Sequence, residues 1–72
     1  GMTVEEALME VDQFIDHAVL NNITPIYLIH GKGTGALRSA IHAHLRGHRN
    51  VASFRLGRYG EGEAGVTVVE LK

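Results

Sequence analysis

Chemistry in this chain centres on His30. It closes the apolar run Ile26-Tyr27-Leu28-Ile29 and opens Gly31-Lys32-Gly33-Thr34-Gly35-Ala36-Leu37-Arg38. Glycines alternate with Lys32 and Thr34, and a helical pattern then starts with Arg38 in its first turn. Glycine permits positive φ and close approach to the main chain. The free N–H groups and dipole of a helix start favour an anion. Such a turn suits a phosphate, with Lys32 and Arg38 as flanking cations and His30 as a group that could transfer a proton. The spacing is not that of a P-loop, which needs Gly, four residues and Gly-Lys-Ser/Thr, nor of the dinucleotide fingerprint, which needs a further glycine. From the residues alone, a phosphate site and a tight strand-to-helix turn with a solvated lysine stand level.

Other side chains are candidates for contact or coordination. Arg38, His42 and Arg46 recur every four residues, and Arg49 continues the line. Most helical charge is only a solvated face, but this line begins at the glycine turn and meets no acid, which favours contact with a phosphate backbone. His44 and His48 have the spacing of a helical metal pair, yet Gly47 should end the helix between them and no acid is evident beside them. A protein-held zinc is not expected.

These residues need elements to hold them. Thr3-Val4-Glu5-Glu6 reads as a capping box. Val4, Ala7, Leu8, Val11, Phe14 or Ile15, and Ala18 recur at helical spacing, so a helix is expected over residues 3–20, ended by Asn21-Asn22. Its acidic face implies a packing role, with His17 solvated. Pro25 can precede a strand but hardly lie within one. The continuous apolar run over 26–29 predicts a strand that is central or buried on both faces. A second helix is expected over 35–46, with Leu37, Ala40, Ile41, His44 and Leu45 inward and Gly47 as C-cap. Residues 51–56 read as a strand of mixed burial, 57–65 as a long mobile loop rich in glycine, and 66–71 as a β-branched strand. Strand–helix–strand order predicts a parallel pair with a right-handed crossover, and the last two strands form an antiparallel pair. The expected fold class is α/β, specifically an α+β two-layer sandwich: a mixed sheet with two helices packed on it.

Seventy-two residues make one domain, and a chain this short buries only about 60% of its unfolded surface. The absence of cysteine excludes disulfides and thiolate metal sites. No apolar run approaches a membrane span of ~20 residues and no signal-peptide pattern is present, so a cytoplasmic domain with no membrane partner is expected. Gly1 is either native or a remnant of tag removal. The net charge of −1 hides a division. Residues 1–24 carry Glu5, Glu6, Glu10, Asp12 and Asp16 without Lys or Arg; residues 25–58 carry Lys32, Arg38, Arg46, Arg49, Arg55 and Arg58 without acid. A segregated basic face can bind phosphate backbone on a neutral chain.

The motif from His30 to Arg38 resembles the centre of the small MutS-related (Smr) domain. Gly65-Val66-Thr67-Val68-Val69-Glu70-Leu71 resembles the closing strand of that family, and Gly1-Met2-Thr3-Val4-Glu5-Glu6-Ala7 the start of its first helix. The Gly-Lys-Gly-Thr-Gly-x-Leu-Arg form is most similar to Smr domains at the C-terminal end of recombination-suppressing MutS-like proteins. The resemblance implies that residues 1–72 are the end of a larger MutS-like chain with an ATPase region. It implies a fold like the C-terminal domain of a bacterial translation initiation factor. It also implies one further strand before the first helix, carrying an acid that is a candidate for metal binding or proton transfer; those positions are absent from this sequence.

For function, the resemblance implies DNA binding, including branched DNA, and nicking of phosphodiesters in recombination suppression or repair. His30 and Lys32 then stand as catalytic candidates. Gly31, Lys32, Gly33, Thr34, Gly35, Arg38, His42 and Arg46 stand as nucleic-acid contacts, with Mg or Mn as an open cofactor question. The alternative is a non-catalytic module that binds nucleic acid, RNA or the ribosome through the same face. No base-reading constellation or aromatic platform is present, which favours recognition of shape.

Overall fold

The computed structural model of the chain describes residues 3–33 and 35–72. Gly1, Met2 and Thr34, the last an expected nucleic-acid contact, lie outside the described residues. The elements run α1 (Val4–Leu20), β1 (Ile26–Ile29), α2 (Ala36–Arg46), β2 (Val51–Leu56), a 3₁₀ turn (Glu63–Gly65) and β3 (Val66–Leu71). No helix among the described residues is long and apolar enough to cross a membrane.

The capping box forms. Glu6 N donates to Thr3 Oγ1 and Thr3 N donates to Glu6 Oε1, both at 3.1 Å. Such a cap is worth ~1 kcal/mol. At the other end Asn21 is the C-cap and its side-chain amide donates to the His17 carbonyl. Asn22 takes the left-handed conformation that Asn tolerates. Of the paired alternatives in α1, Ile15 is the core residue and Phe14 remains 45% exposed.

Both helices contribute to a single core. Val11, Ile15 and Ala18 of α1 and Ile41 and Leu45 of α2 meet Ile26, Leu28, Val51 and Val69 of the sheet. The architecture is two helices packed on a three-stranded sheet, as the fold class requires, but the sheet is not mixed. Its order is β1-β3-β2, and β3 runs antiparallel to both neighbours. The parallel pair expected from strand–helix–strand order is therefore separated by β3. The centre belongs to β3, whose Val66, Thr67, Val68 and Val69 are all buried. β1, expected to be central or buried on both faces, is an edge strand with alternating burial: Ile26 and Leu28 face the helices while Tyr27 and Ile29 are exposed. Four apolar residues cannot by themselves report which strand has two neighbours.

The segment 57–65 is less free than its glycines suggest. Arg55 grips Glu61 with two hydrogen bonds, Nη1 to Oε1 at 2.8 Å and Nη2 to Oε2 at 3.2 Å. Arg58 N donates to the same carboxylate. Gly57 N donates to the carbonyls of Glu63 and Val66. Gly62 has φ +103°, and a Cβ there would lie 2.3 Å from Val66 Cγ2, so the turn demands glycine. Arg55 and Tyr27 are the cross-strand neighbours of Val68 and flank it on the face away from the helices.

The Arg55 hydrogen bonds, then the Arg58 amide, pull the Glu61 carboxyl down to about 2 from its usual 4.5. Because the folded value is depressed, its contribution is complete above pH 4.5 and is lost as pH falls toward 2. Glu61→Gln is expected to flatten that part of an acid-unfolding curve; an unchanged curve between those limits would mean that the Arg55 grip adds nothing to stability.

Candidate nucleic-acid interface

His30 follows the last residue of β1. Its backbone N–H and that of Gly31 both donate to the Gly65 carbonyl, at 3.0 and 2.9 Å. The turn is thereby tied to the start of β3, and Gly65 lies against Gly31 and the Lys32 stem, where a Cβ would be in ordinary contact with both. These two amides are consumed internally and cannot serve an anion. The amides of Lys32 and Gly33 donate to no acceptor among the described residues. Gly31 has φ +78° and Gly35 φ +87°, which bend the chain into α2. Gly35 caps that helix without a side-chain hydrogen bond.

The cations collect around this turn. A Cβ on Gly35 would lie 2.9 Å from Arg38 Nη2, so the Arg38 guanidinium folds back over the turn. Lys32 Nζ reaches Glu63 Oε2 at 3.2 Å; both side chains are more than half exposed, so the pair is worth at most ~1 kcal/mol and is easily exchanged for a phosphate. Arg46 and Arg49 are exposed further along. Thus the structure brings Gly31, Lys32, Gly33, Gly35 and Arg38 to one turn and continues the basic line along α2.

His30 and His42 meet at a residue that the motif reading did not single out. His30 Nε2 lies 2.8 Å and His42 Nε2 2.7 Å from Thr67 Oγ1, and Thr67 is fully buried. The rings stand edge to face with centroids 6.2 Å apart, and His42 packs on Phe54 at 5.0 Å. His30 Nδ1 donates to the Gly31 carbonyl at 2.9 Å, since a carbonyl oxygen can only accept. Burial, and then the positive surroundings of His30, Arg38 and Arg46, hold the His42 imidazole below its ordinary value. On the basic line, His42 therefore has only Nδ1 left to meet a phosphate. Thr67 carried one sequence signal, a hydroxyl residue set among Val66, Val68 and Val69.

The remaining histidines lie elsewhere. Asp12 accepts from His44 Nε2 at 2.7 Å and lies 3.4 Å from His48 Nε2, joining α1 to α2. An acid does therefore stand beside this pair, contrary to expectation, because Asp12 comes from a different helix. Among the described residues no three His, Cys, Asp or Glu side chains converge to hold a metal ion.

The Smr domain profile matches residues 1–72. The chain is 61% identical over 71 residues to Endonuclease MutS2 of Pelotomaculum thermopropionicum and 56% over 72 residues to that of Staphylococcus carnosus. These matches cover 99% and 100% of this chain and 9% of each relative. Its structure superposes on the Smr domain of Thermus thermophilus MutS2 with a TM-score of 0.96 at 51% identity, covering 100% of this chain and 90% of that one. With YdaL, a stand-alone small MutS-related protein from Escherichia coli, the TM-score is 0.91 at 26% identity, covering 99% of this chain and 59% of that one. The glycine turn, the antiparallel three-stranded sheet and the match over the whole chain lead to one conclusion: this chain belongs to the Smr domain family.

Proposed function

We propose that this domain binds the phosphate backbone of DNA across the glycine turn and α2, and that within a longer MutS-like protein with an ATPase region it nicks phosphodiesters. The observation that carries the reading is that the one turn following His30 holds Lys32, Arg38 and the Lys32 and Gly33 amides, which donate to no acceptor among the described residues. The name Endonuclease MutS2 borne by its relatives supports the same reading. Water would form the new bond to phosphorus and lose its proton to solvent as the bond to the leaving oxygen breaks; His30 would donate the Nδ1 proton to that oxygen, turning it from the Gly31 carbonyl, while Lys32 and Arg38 stabilise charge on the phosphoryl oxygens. With no aromatic platform, branched or otherwise distorted DNA would be recognised by shape, in suppression of recombination or in repair.

A second reading rests on a specific observation. Both ring nitrogens of His30, and Lys32 Nζ, are engaged within the chain. That favours a non-catalytic module for DNA, RNA or the ribosome on the same basic face. A nicking assay on supercoiled plasmid with the longer protein, with and without divalent metal, separates the two: nicked circles support the nuclease, and binding without nicks supports the module.

Both readings share a binding test. Lys32→Ala and Arg38→Ala are each expected to weaken binding about equally for all sequences and to lower the salt slope by roughly one unit, the effect of one lost phosphate contact. Glu10→Ala, on the acidic helix, serves as control. Equal affinity and slope in all three variants would remove the basic-face argument.

A further inference from the structure

Thr67 Oγ1 is fully buried and lies within hydrogen-bond distance of two imidazole nitrogens on different elements. The proton positions follow from the partners. The Gly31 carbonyl requires a hydrogen on His30 Nδ1. Neutral His30 then presents a lone pair at Nε2, which accepts the Thr67 hydroxyl hydrogen. The Thr67 oxygen in turn accepts from His42, which must carry its hydrogen on Nε2. His42 Nδ1 makes no hydrogen bond among the described residues.

We propose that Thr67 is a positioning residue that couples His30 to His42, so that the two imidazoles share one added proton, which enters at His42 Nδ1. This rests on the reading of His30 as proton donor. The transfer balances. His42 takes a proton on Nδ1, its Nε2 hydrogen passes to Thr67 Oγ1, and the former hydroxyl hydrogen passes to His30 Nε2. His42 is left neutral with its hydrogen on Nδ1, Thr67 is again a hydroxyl, now donating to His42, and His30 is an imidazolium whose Nδ1 hydrogen is more acidic than before. A second added proton is opposed, because two imidazoliums would leave the buried hydroxyl hydrogen without an acceptor.

The charges facing the pair differ in sign from one element to the next. Arg38 and Arg46 face His42 from α2, and burial, then these cations, disfavour a charge resting on its imidazole. Lys32 adds positive charge from the turn, partly answered by Glu63. From α1, Glu10 lines the same groove as His30. From β2 the neighbour is the uncharged ring of Phe54.

Imidazole ¹⁵N NMR across pH, on the 72-residue chain, reads this without any activity. In the wild type the Nε2 signals of His30 and His42 are expected to change together with one midpoint, His42 exchanging its Nε2 hydrogen for Nδ1 in the same step. In Thr67→Val the common midpoint is lost and each ring titrates alone; in Thr67→Ser it is retained. Two independent midpoints in the wild type, or a Thr67→Val titration identical to wild type, overturn the proposal. Nicking by the longer protein is followed separately. A coupled titration without nicking leaves the relay standing and overturns the nuclease reading. With nicking present, Thr67→Val is expected to lower kcat and move its pH profile with KM unchanged, and an unmoved profile removes the relay from the reaction.

Discussion

His30→Ala in the longer protein is expected to lower nicking by about 10²–10⁴-fold, the usual contribution of a positioned acid or base. DNA affinity is expected to change far less. The division follows from the site. In the proposed binding, Lys32, Arg38 and Arg46 would supply the positive charge that holds a backbone, and the contacts of Lys32 with Glu63 and of Arg38 with the turn do not involve the imidazole. His30 adds one thing the cations cannot, a hydrogen on Nδ1 at an exposed edge with its opposite nitrogen fixed by Thr67. The variant leaves Thr67 bonded to His42, so the fold is expected to survive, and melting of the variant is the control. Plasmid nicking and DNA binding are measured on the same preparations. Nicking at the wild-type rate would make His30 a structural residue that fastens β1 to β3, and the non-catalytic module would then be the function.

The second large effect is expected at the open edge of β1. One side of this strand pairs with β3, and the other has no strand partner among the described residues. Ile29 is 84% exposed and Tyr27 48%, and with Phe14, Leu37 and Ile41 they border an apolar groove between α1, α2 and the strand. Full burial of one isoleucine is worth roughly 1.5–3 kcal/mol, and each kcal/mol moves the midpoint by about 4–8 °C in a domain of this size. Joining an upstream strand of the kind the family resemblance implies is therefore expected to raise Tm by ~10 °C. It should also reduce association through the edge, since open edges invite pairing with another chain. Calorimetry and sedimentation on the two lengths measure this. Identical melting, with both forms monomeric, would show that no further strand belongs on β1.

Local features were legible because local rules govern them. Thr3 and Glu6 announced their helix start at capping-box spacing, and Asn21 its end. α2 runs within a residue of its expected bounds, since the spacing of Ile41 and Leu45 admits only one inward face. The glycines of the turn marked where positive φ was needed, at Gly31 and Gly35. Acids fall within residues 1–24 and bases within 25–58, but Lys32 and Arg55 of the basic stretch pair with Glu63 and Glu61 from further along the chain. What failed was what depends on partners distant in the chain. A β-strand pattern reports which faces are apolar but not how many strands lie beside it, so β1 looked central and β3 took the centre. Glycine content suggested freedom in 57–65, where a single carboxylate, Glu61, binds Arg55 and the Arg58 amide.

The candidate site divides in the same way. By its own order the sequence determined that a histidine, a glycine turn, a lysine and an arginine would be neighbours, because they lie on one continuous strand–turn–helix. It also determined that Arg38, His42 and Arg46 would share a helix face, because the helical period places them there. Only the tertiary structure decided that His30 and His42 would meet through Thr67, which lies 37 and 25 residues further along the chain. Antiparallel insertion of β3 between β1 and β2 sets Thr67 opposite Leu28 and Leu56, on the face beneath α2. A buried hydroxyl in that place must find partners, and the two imidazoles are the partners that packing supplies.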